Sequence, residues 1–188
     1  VCSSDLSEVS RLTKQQDNKS PDTLLRVSEL NLEKARLWRE AENEQFLAIP
    51  PEDRRRVNKS DYFKKSNGYF EAANNSGLLI VNKFKTYKGI GEVYYILAYN
   101  FKELGDNTNA QKYFKLASGK SSGNSKVAQR SNLALADYNF NAHKFGAVIP
   151  LYESALSKSD ERWWTKDAFN LAWSYYRVKN YDKAISLM

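Results

Sequence analysis

The chain has almost none of the residues from which thiol and metal chemistry is built: one cysteine (Cys2), one histidine (His143) and one methionine (Met188) in 188 residues. That count excludes a disulfide framework, a Cys/His zinc site and a Cys–His catalytic pair on a mid-chain cysteine. Glycine and proline are scarce too, at 8 and 4, few for a β-rich fold with its many turns. No run of about 18 apolar residues occurs, so no segment reads as a membrane span. Aromatics, by contrast, are abundant: 12 Tyr, 9 Phe and 4 Trp make up 13% of the chain. Lys and Arg outnumber Asp and Glu by 29 to 22, a net charge of +7 that favours acidic partners. The length suits one domain or a short array of repeats, and the composition leans helical.

Motifs for nucleotide chemistry fail on spacing. Gly119-Lys120-Ser121 resembles the end of a phosphate-binding loop, but the glycine required earlier falls at Phe114. Gly89-Ile90-Gly91 is no dinucleotide fingerprint, because Tyr94 stands where the third glycine belongs and no strand precedes it. His143 falls in a predicted helix–helix turn with no second ligand or nucleophile beside it, and reads as a surface residue. Arg54-Arg55-Arg56 with Lys59, Lys64 and Lys65 reads as a solvated basic face; the alternative is a patch for nucleic acid, anionic lipid or an acidic protein. No catalytic, cofactor-binding or metal residue is assigned, no cofactor is expected, and the protein is expected not to be an enzyme.

The second half repeats itself. Leu97-Ala98 is followed by Ala110, Phe114 and Ala117; Leu135-Ala136 by Val148, Tyr152 and Ala155; Leu171-Ala172 by Ala184 and Met188. In each copy 12 residues separate the first small residue from the second, and 4 more lead to the bulky one. Between copies the period is 38 and then 36. Apolar residues at 3- and 4-residue steps predict two amphipathic helices per unit, with small residues where paired helices cross closely. Leu104-Gly105-Asp106-Asn107, Ala142-His143-Lys144-Phe145 and Val178-Lys179-Asn180-Tyr181 break the pattern at one point in each unit and predict turns. Ser118 to Ser125 reads as a Gly/Ser-rich link, and Ser157-Lys158-Ser159-Asp160 as a source of helix N-caps.

The first half is less regular. Residues 1–19 are expected to be artefactual or disordered: Val1-Cys2-Ser3-Ser4-Asp5-Leu6 looks like a translated sequencing adaptor, and neither an initiator Met nor a leader is visible. Both ends are therefore expected to be cut. Ser20-Pro21 should open a helix from Asp22 to about Ala48, stopped by Pro50-Pro51. Ser60 should cap a second helix with the stripe Tyr62, Ser66, Tyr69, Ala73, Gly77, Ile80 and Phe84. The expected organisation is an irregular helical pair over 20–88, then three repeats over about 91–124, 129–160 and 161–188, the last incomplete.

These small residues at the crossings, with the segment Phe145-Gly-Ala-Val-Ile-Pro-Leu-Tyr-Glu-Ser-Ala-Leu156, resemble tetratricopeptide (TPR) repeats over about half the chain. Two departures stand out: the closing proline is absent, and the usual 34-residue period is stretched, longer periods of this kind being common in TPR proteins of the bacterial envelope. Leu24-Leu-Arg-Val-Ser-Glu-Leu30, Tyr94-Tyr-Ile-Leu-Ala-Tyr99 and Ala168-Phe-Asn-Leu-Ala-Trp-Ser-Tyr-Tyr176 resemble TPR proteins of gliding and predatory bacteria. The resemblance implies an all-α fold, a right-handed superhelix (α-solenoid) of helix hairpins. It also implies a non-catalytic scaffold for protein–protein interaction in a Gram-negative cell envelope, periplasmic or associated with the outer membrane.

In such arrays the first helices line a concave groove. Three columns result: Glu92, Tyr95, Tyr99, Lys102 and Glu103; Arg130, Leu133, Asp137, Phe140 and Asn141; Lys166, Phe169, Trp173, Tyr176 and Arg177. Tyr95, Tyr99, Lys102, Arg130, Leu133, Phe140, Lys166, Phe169, Trp173, Tyr176 and Arg177 are the expected protein-binding residues, suited to a peptide or an amphipathic helix, including an acidic one. Several of these aromatics could equally be core between repeats. Tyr99, Asp137 and Trp173 stand where the family's chaperone-tail clamp uses Asn, so that ligand is not expected. Trp164 continues the stripe Ala168, Leu171, Tyr175 as core, which leaves Trp163 as an exposed anchor. Two alternatives stay open: the regulatory arm of a larger enzyme, and an RNA-binding helical repeat, although the columns lack the repeated polar pair an RNA code needs. No small-molecule substrate is expected, and a membrane would be met only through a lost anchor or a partner.

Overall fold

The structure is a computed structural model that describes residues 20–121, 126–157 and 164–188. Among the described residues every regular element is a helix: α1 Pro21–Leu47, α2 Pro51–Arg54, α3 Lys59–Tyr62, α4 Lys64–Lys83, α5 Ile90–Glu103, α6 Asn107–Lys120, α7 Lys126–Asn141, α8 Phe145–Leu156, α9 Trp164–Arg177 and α10 Tyr181–Ser186. The protein is all-helical, with helices packed on their neighbours. Two compact units divide it, Val1–Ala110 and Gln111–Met188, so α6 crosses the division. The expectations for residues 1–19, for residues 122–125 of the Ser118–Ser125 link, for Lys158, Ser159 and Asp160 as helix caps, for Trp163 and for the Trp164 side chain as core fall outside the described residues.

In the first unit α1 begins as its sequence predicts. Ser20 Oγ accepts the Thr23 N–H at 3.2 Å, Pro21 occupies the first turn and Asp22 faces the helix's positive end. Arg54 closes the other end by folding back, donating Nε to the Ile49 carbonyl at 2.8 Å and Nη2 to the Leu47 carbonyl at 2.6 Å. The basic cluster is thereby dispersed: Arg54 serves the helix end, Arg56 pairs with Asp53 at 3.5 Å, and the Lys65 ammonium sits 4.1 Å over the Trp38 ring.

The second long helix starts differently from the expectation. Ser60 lies inside the short α3, and α4 begins at Lys64 with Phe63 before it, a residue that has no cap to offer. The cap comes from α1 instead. The buried Glu42 carboxylate accepts the backbone N–H of Lys65 at 2.9 Å and of Ser66 at 3.3 Å. A carboxylate at a helix N-terminus satisfies open donors and meets the positive end of the dipole. Farther along, Ser28 Oγ donates to the Ala73 carbonyl at 2.9 Å and Arg39 Nη2 to Asn67 Oδ1 at 2.7 Å. The pairs 28–73, 39–67 and 42–66 run in opposite chain directions, so α1 and α4 are antiparallel. Ser66, Phe70, Ala73, Gly77 and Ile80 form the buried face of α4, and Phe70 joins Leu32, Ala35 and Ile96 in one core cluster.

α5 packs on α4 and also touches α1, so the helix read from the sequence as opening the repeats shares a core with the irregular pair. The close approach is set at Gly77, where an added Cβ would stand 2.9 Å from Leu97 Cδ2. Tyr87, in the link before α5, donates to Asp22 Oδ1 at 2.7 Å and ties that link to the start of α1. This hydrogen bond to a carboxylate pushes the Tyr87 pKa up to about 12.

In the second unit α7, α8, α9 and α10 pack each on the next around Ala136, Val148, Tyr152, Leu171, Tyr175 and Ala184. Ser118, Gly119 and Lys120, expected in a linker, belong to the last turn of α6. The small residues of all three copies are buried: Ala98, Ala136 and Ala172 are fully enclosed, as are Ala110 and Val148, with Ala184 nearly so.

One turn recurs in all three copies. Gly105, His143 and Lys179 have φ of 83°, 57° and 65°, the left-handed region, and lie 38 and 36 residues apart. Their hydrogen bonds match: Gly105 N–H to the Lys102 carbonyl and Asp106 N–H to Phe101; His143 to Phe140 and Lys144 to Asn139; Lys179 to Tyr176 and Asn180 to Tyr175. Each is a Schellman motif closing a helix before the chain reverses. Only the first copy uses the residue that suits it, since side chains disfavour this conformation.

His143→Gly and Lys179→Gly should each raise unfolding stability by about 1 kcal/mol, read as a higher urea midpoint at constant slope, and Gly105→Ala should lower it by about as much. A drop for either glycine variant would show that the side chain contributes more than the strain costs. Glu42→Ala should lower stability by about 1–2 kcal/mol in the same titration; no change there would remove it as the cap of α4.

Candidate protein-binding surface

α9 has two faces. Ala168, Leu171, Ala172 and Tyr175 are buried, whereas Phe169, Trp173 and Tyr176 are 57%, 37% and 50% exposed. Positions i, i+4 and i+7 share one side of a helix, so the three rings form a single stripe about 10 Å long at 1.5 Å per residue. Trp173 and Tyr176 are stacked, with ring centres 5.4 Å apart and planes 29° from parallel. Tyr181 of α10 extends the aromatic surface, 5.7 Å from Tyr176. Such a stripe offers large, rigid contact area with few rotatable bonds to immobilise.

Cations bracket the stripe. Lys166 lies one turn before Phe169, and Arg177 ends the helix with its guanidinium 4.6 Å over the Phe145 ring. Residues 111–188 carry 12 Lys and Arg against 6 Asp and Glu, which is six of the chain's seven net positive charges. The positive charge of the chain is thus concentrated in this unit.

A polar network links α7, α8 and α9. Tyr152, fully buried on α8, donates its hydroxyl to Asp137 Oδ1 at 2.7 Å and accepts from Asn170 Nδ2 at 3.1 Å. Lys166 Nζ stands 3.4 Å from Asp137 Oδ2. Burial and then the bond to Asp137 push the Tyr152 pKa up, against the opposing donation from Asn170. Burial also raises the carboxyl of Asp167, against the neighbouring Lys166 charge and with Asp137 adding to the rise. The network ties three helices together, and the three rings of the stripe stay exposed.

The other expected residues fall into two groups. Arg130 is exposed on α7, while Leu133 and Phe140 are partly buried against the core cluster, with Phe140 edge-on to Phe145 at 5.6 Å. These join Lys166, Phe169, Trp173, Tyr176 and Arg177 in the second unit. Tyr95, Tyr99 and Lys102 belong to the first unit. Tyr99 is half-buried beside Phe70 with the Arg36 guanidinium 4.7 Å over its ring; its phenol is pushed up by that burial and by Glu103, against Arg36. Tyr95 is half-buried and Lys102 exposed. In the sequence Tyr152 is legible only as the bulky residue of the second repeat, and Asn170 carries no signal of its own. The signal for both was a tyrosine at a bulky repeat position where the first copy has Phe114: a buried hydroxyl there requires partners.

Among the described residues no group of three His, Cys, Asp or Glu is placed to hold a metal, and no helix is long and apolar enough to cross a membrane. Compared with known proteins, the chain matches no family model and no curated protein.

Tyr152→Phe should lower stability by about 1–3 kcal/mol at neutral pH, because it leaves Asp137 with one partner fewer in a half-buried site. The raised phenol adds a sign. Below the free tyrosine value near 10 its contribution is complete, and it is lost as pH rises from there through the folded-state pKa. The deficit of the Phe variant should therefore shrink when urea unfolding is repeated between about pH 8 and pH 11; a deficit that grows with pH would contradict the assignment.

Proposed function

We propose that the protein is a non-catalytic interaction scaffold of the TPR type, holding a peptide segment or an amphipathic helix of another protein against the α9 stripe. The observation that carries this reading is the exposed row Phe169, Trp173 and Tyr176, set on a helix whose opposite face is locked in the core. Aromatic and Arg anchors dominate protein interfaces, and the positive charge of the second unit selects partners with acidic residues beside the anchors. The repeat reading is supported by three matching sets of buried small residues and three matching Schellman turns. These hairpins would stack as an α-solenoid. Work within a bacterial cell-envelope assembly is proposed from the sequence resemblance.

A random-peptide library selected on the whole protein tests the reading. Selected peptides should combine apolar anchors with acidic residues, and Trp173→Ala should weaken them by about 30-fold, the effect of about 2 kcal/mol. Lys166→Ala should weaken them less, with most of its effect lost at high salt. Equal affinity for the wild-type protein and for a triple alanine variant at Phe169, Trp173 and Tyr176 would end the proposal for this face. Salt-sensitive binding of generic RNA without any peptide binder would favour the RNA-binding alternative.

A further inference from the structure

The three copies put different chemistry at one core position. Val93, Ser131 and Asp167 are separated by the repeat periods of 38 and 36 residues and are 1%, 0% and 7% exposed. The first copy fills the position with an apolar side chain, the usual occupant of such a site, and the third fills it with a carboxyl. The position has little to offer a polar group. Among the described residues Ser131 Oγ finds no hydrogen-bond partner, and none donates a hydrogen bond to the Asp167 carboxylate. A carboxylate buried without donors is costly, and the cost falls when it takes up a proton.

The charges around Asp167 leave that cost in place. On its own helix Lys166 and the positive end of α9 favour the ionised form, but Lys166 also serves Asp137, with Nζ 3.4 Å from Oδ2. From α7, Asp137 adds a like charge, while Lys126 and Arg130 are exposed. From α8, the Tyr152 hydroxyl is engaged by Asp137 and Asn170, and Glu153 pairs with Lys183 of α10 at 3.6 Å. Asp182 of α10 is exposed, and Arg177 lies over the Phe145 ring. Burial is the largest influence and holds the Asp167 carboxyl above the ordinary aspartate range, with Lys166 opposing and Asp137 adding to the rise.

We propose that Asp167 makes the seat of α9 acid-responsive: proton uptake by this carboxyl tightens α9 against α7 and α8, and proton loss loosens it. The folded state holds the proton more tightly than the unfolded chain does. Stability from this group therefore rises as pH falls through the folded-state value, and the rise is complete below the free value of about 3.9. The device acts on the helix that carries Phe169, Trp173 and Tyr176, yet it needs no ligand to operate.

Urea unfolding of the whole protein, wild type against Asp167→Asn, tests it between about pH 8 and pH 4. The Asn variant should have an unfolding equilibrium constant about threefold lower at pH 8, and this advantage should vanish by about pH 4. Asp167→Val, the side chain of the first copy, should gain about tenfold at pH 8, because it adds apolar burial to the removal of charge. Asp167→Ser, the side chain of the second copy, repeats the comparison if the Asn variant does not fold. Hydrogen exchange, corrected for the intrinsic rate, reads the helix itself: protection of the α9 amides should rise from about pH 8 to pH 5 in wild type and stay level in Asp167→Asn. A neutral variant no more stable than wild type at pH 8, an advantage that does not shrink as pH falls, or an α9 protection profile with the same pH response in both proteins overturns the proposal.

Discussion

Every hairpin of the repeated half turns on one backbone conformation, a residue at positive φ that ends the first helix and lets two N–H groups reach back to its last carbonyls. The reversal directs the second helix back along the first, and the fully buried alanines at 98, 136 and 172 lie on the helices so closed. The turn tolerates poor residues because its hydrogen bonds and the packing beyond it over-determine the geometry. His143 and Lys179 adopt a conformation that favours glycine, and the same bonds form as at Gly105.

The repeat half was legible because it is governed by local rules. Helical spacing, small residues at crossings and turn residues at a constant offset are all visible in one strand of text, and the repeat positions they mark are buried except for the partly buried Leu135 and the exposed Met188. The first half was legible only in part. The start of α1 follows from Ser20-Pro21, but the start of α4 does not follow from Ser60, because its cap is Glu42, over twenty residues upstream in sequence and adjacent only after folding. The Gly/Ser composition near residue 118 suggested a link, yet α6 runs through Ser118, Gly119 and Lys120.

The candidate surface divides along the same line. Phe169, Trp173 and Tyr176 could be grouped from spacing alone, since they are one helical stripe. The polar network on the same helices could not, because Asp137, Tyr152 and Asn170 lie on three helices and meet only through tertiary packing. Tyr99 shows the converse: its spacing matched a surface column, while Arg36 and Phe70, far away in sequence, enclose half of its ring. A helical projection identifies which side chains share a face, and the neighbouring helices decide which of those remain open.

The capping of α4 by Glu42 has a consequence for how this region can vary. A helix capped by the residue before it starts where its own sequence directs. α4 instead starts where α1 presents a carboxylate, so its first turn is specified across the hairpin rather than along the chain. The segment between Leu47 and Lys64, with its two short helical turns, is thereby released from that duty. Its composition and length can drift while α4 keeps its place, whereas a one-residue slip in α1 would rotate Glu42 away from those amides by about 100° and unseat the beginning of a helix more than twenty positions downstream.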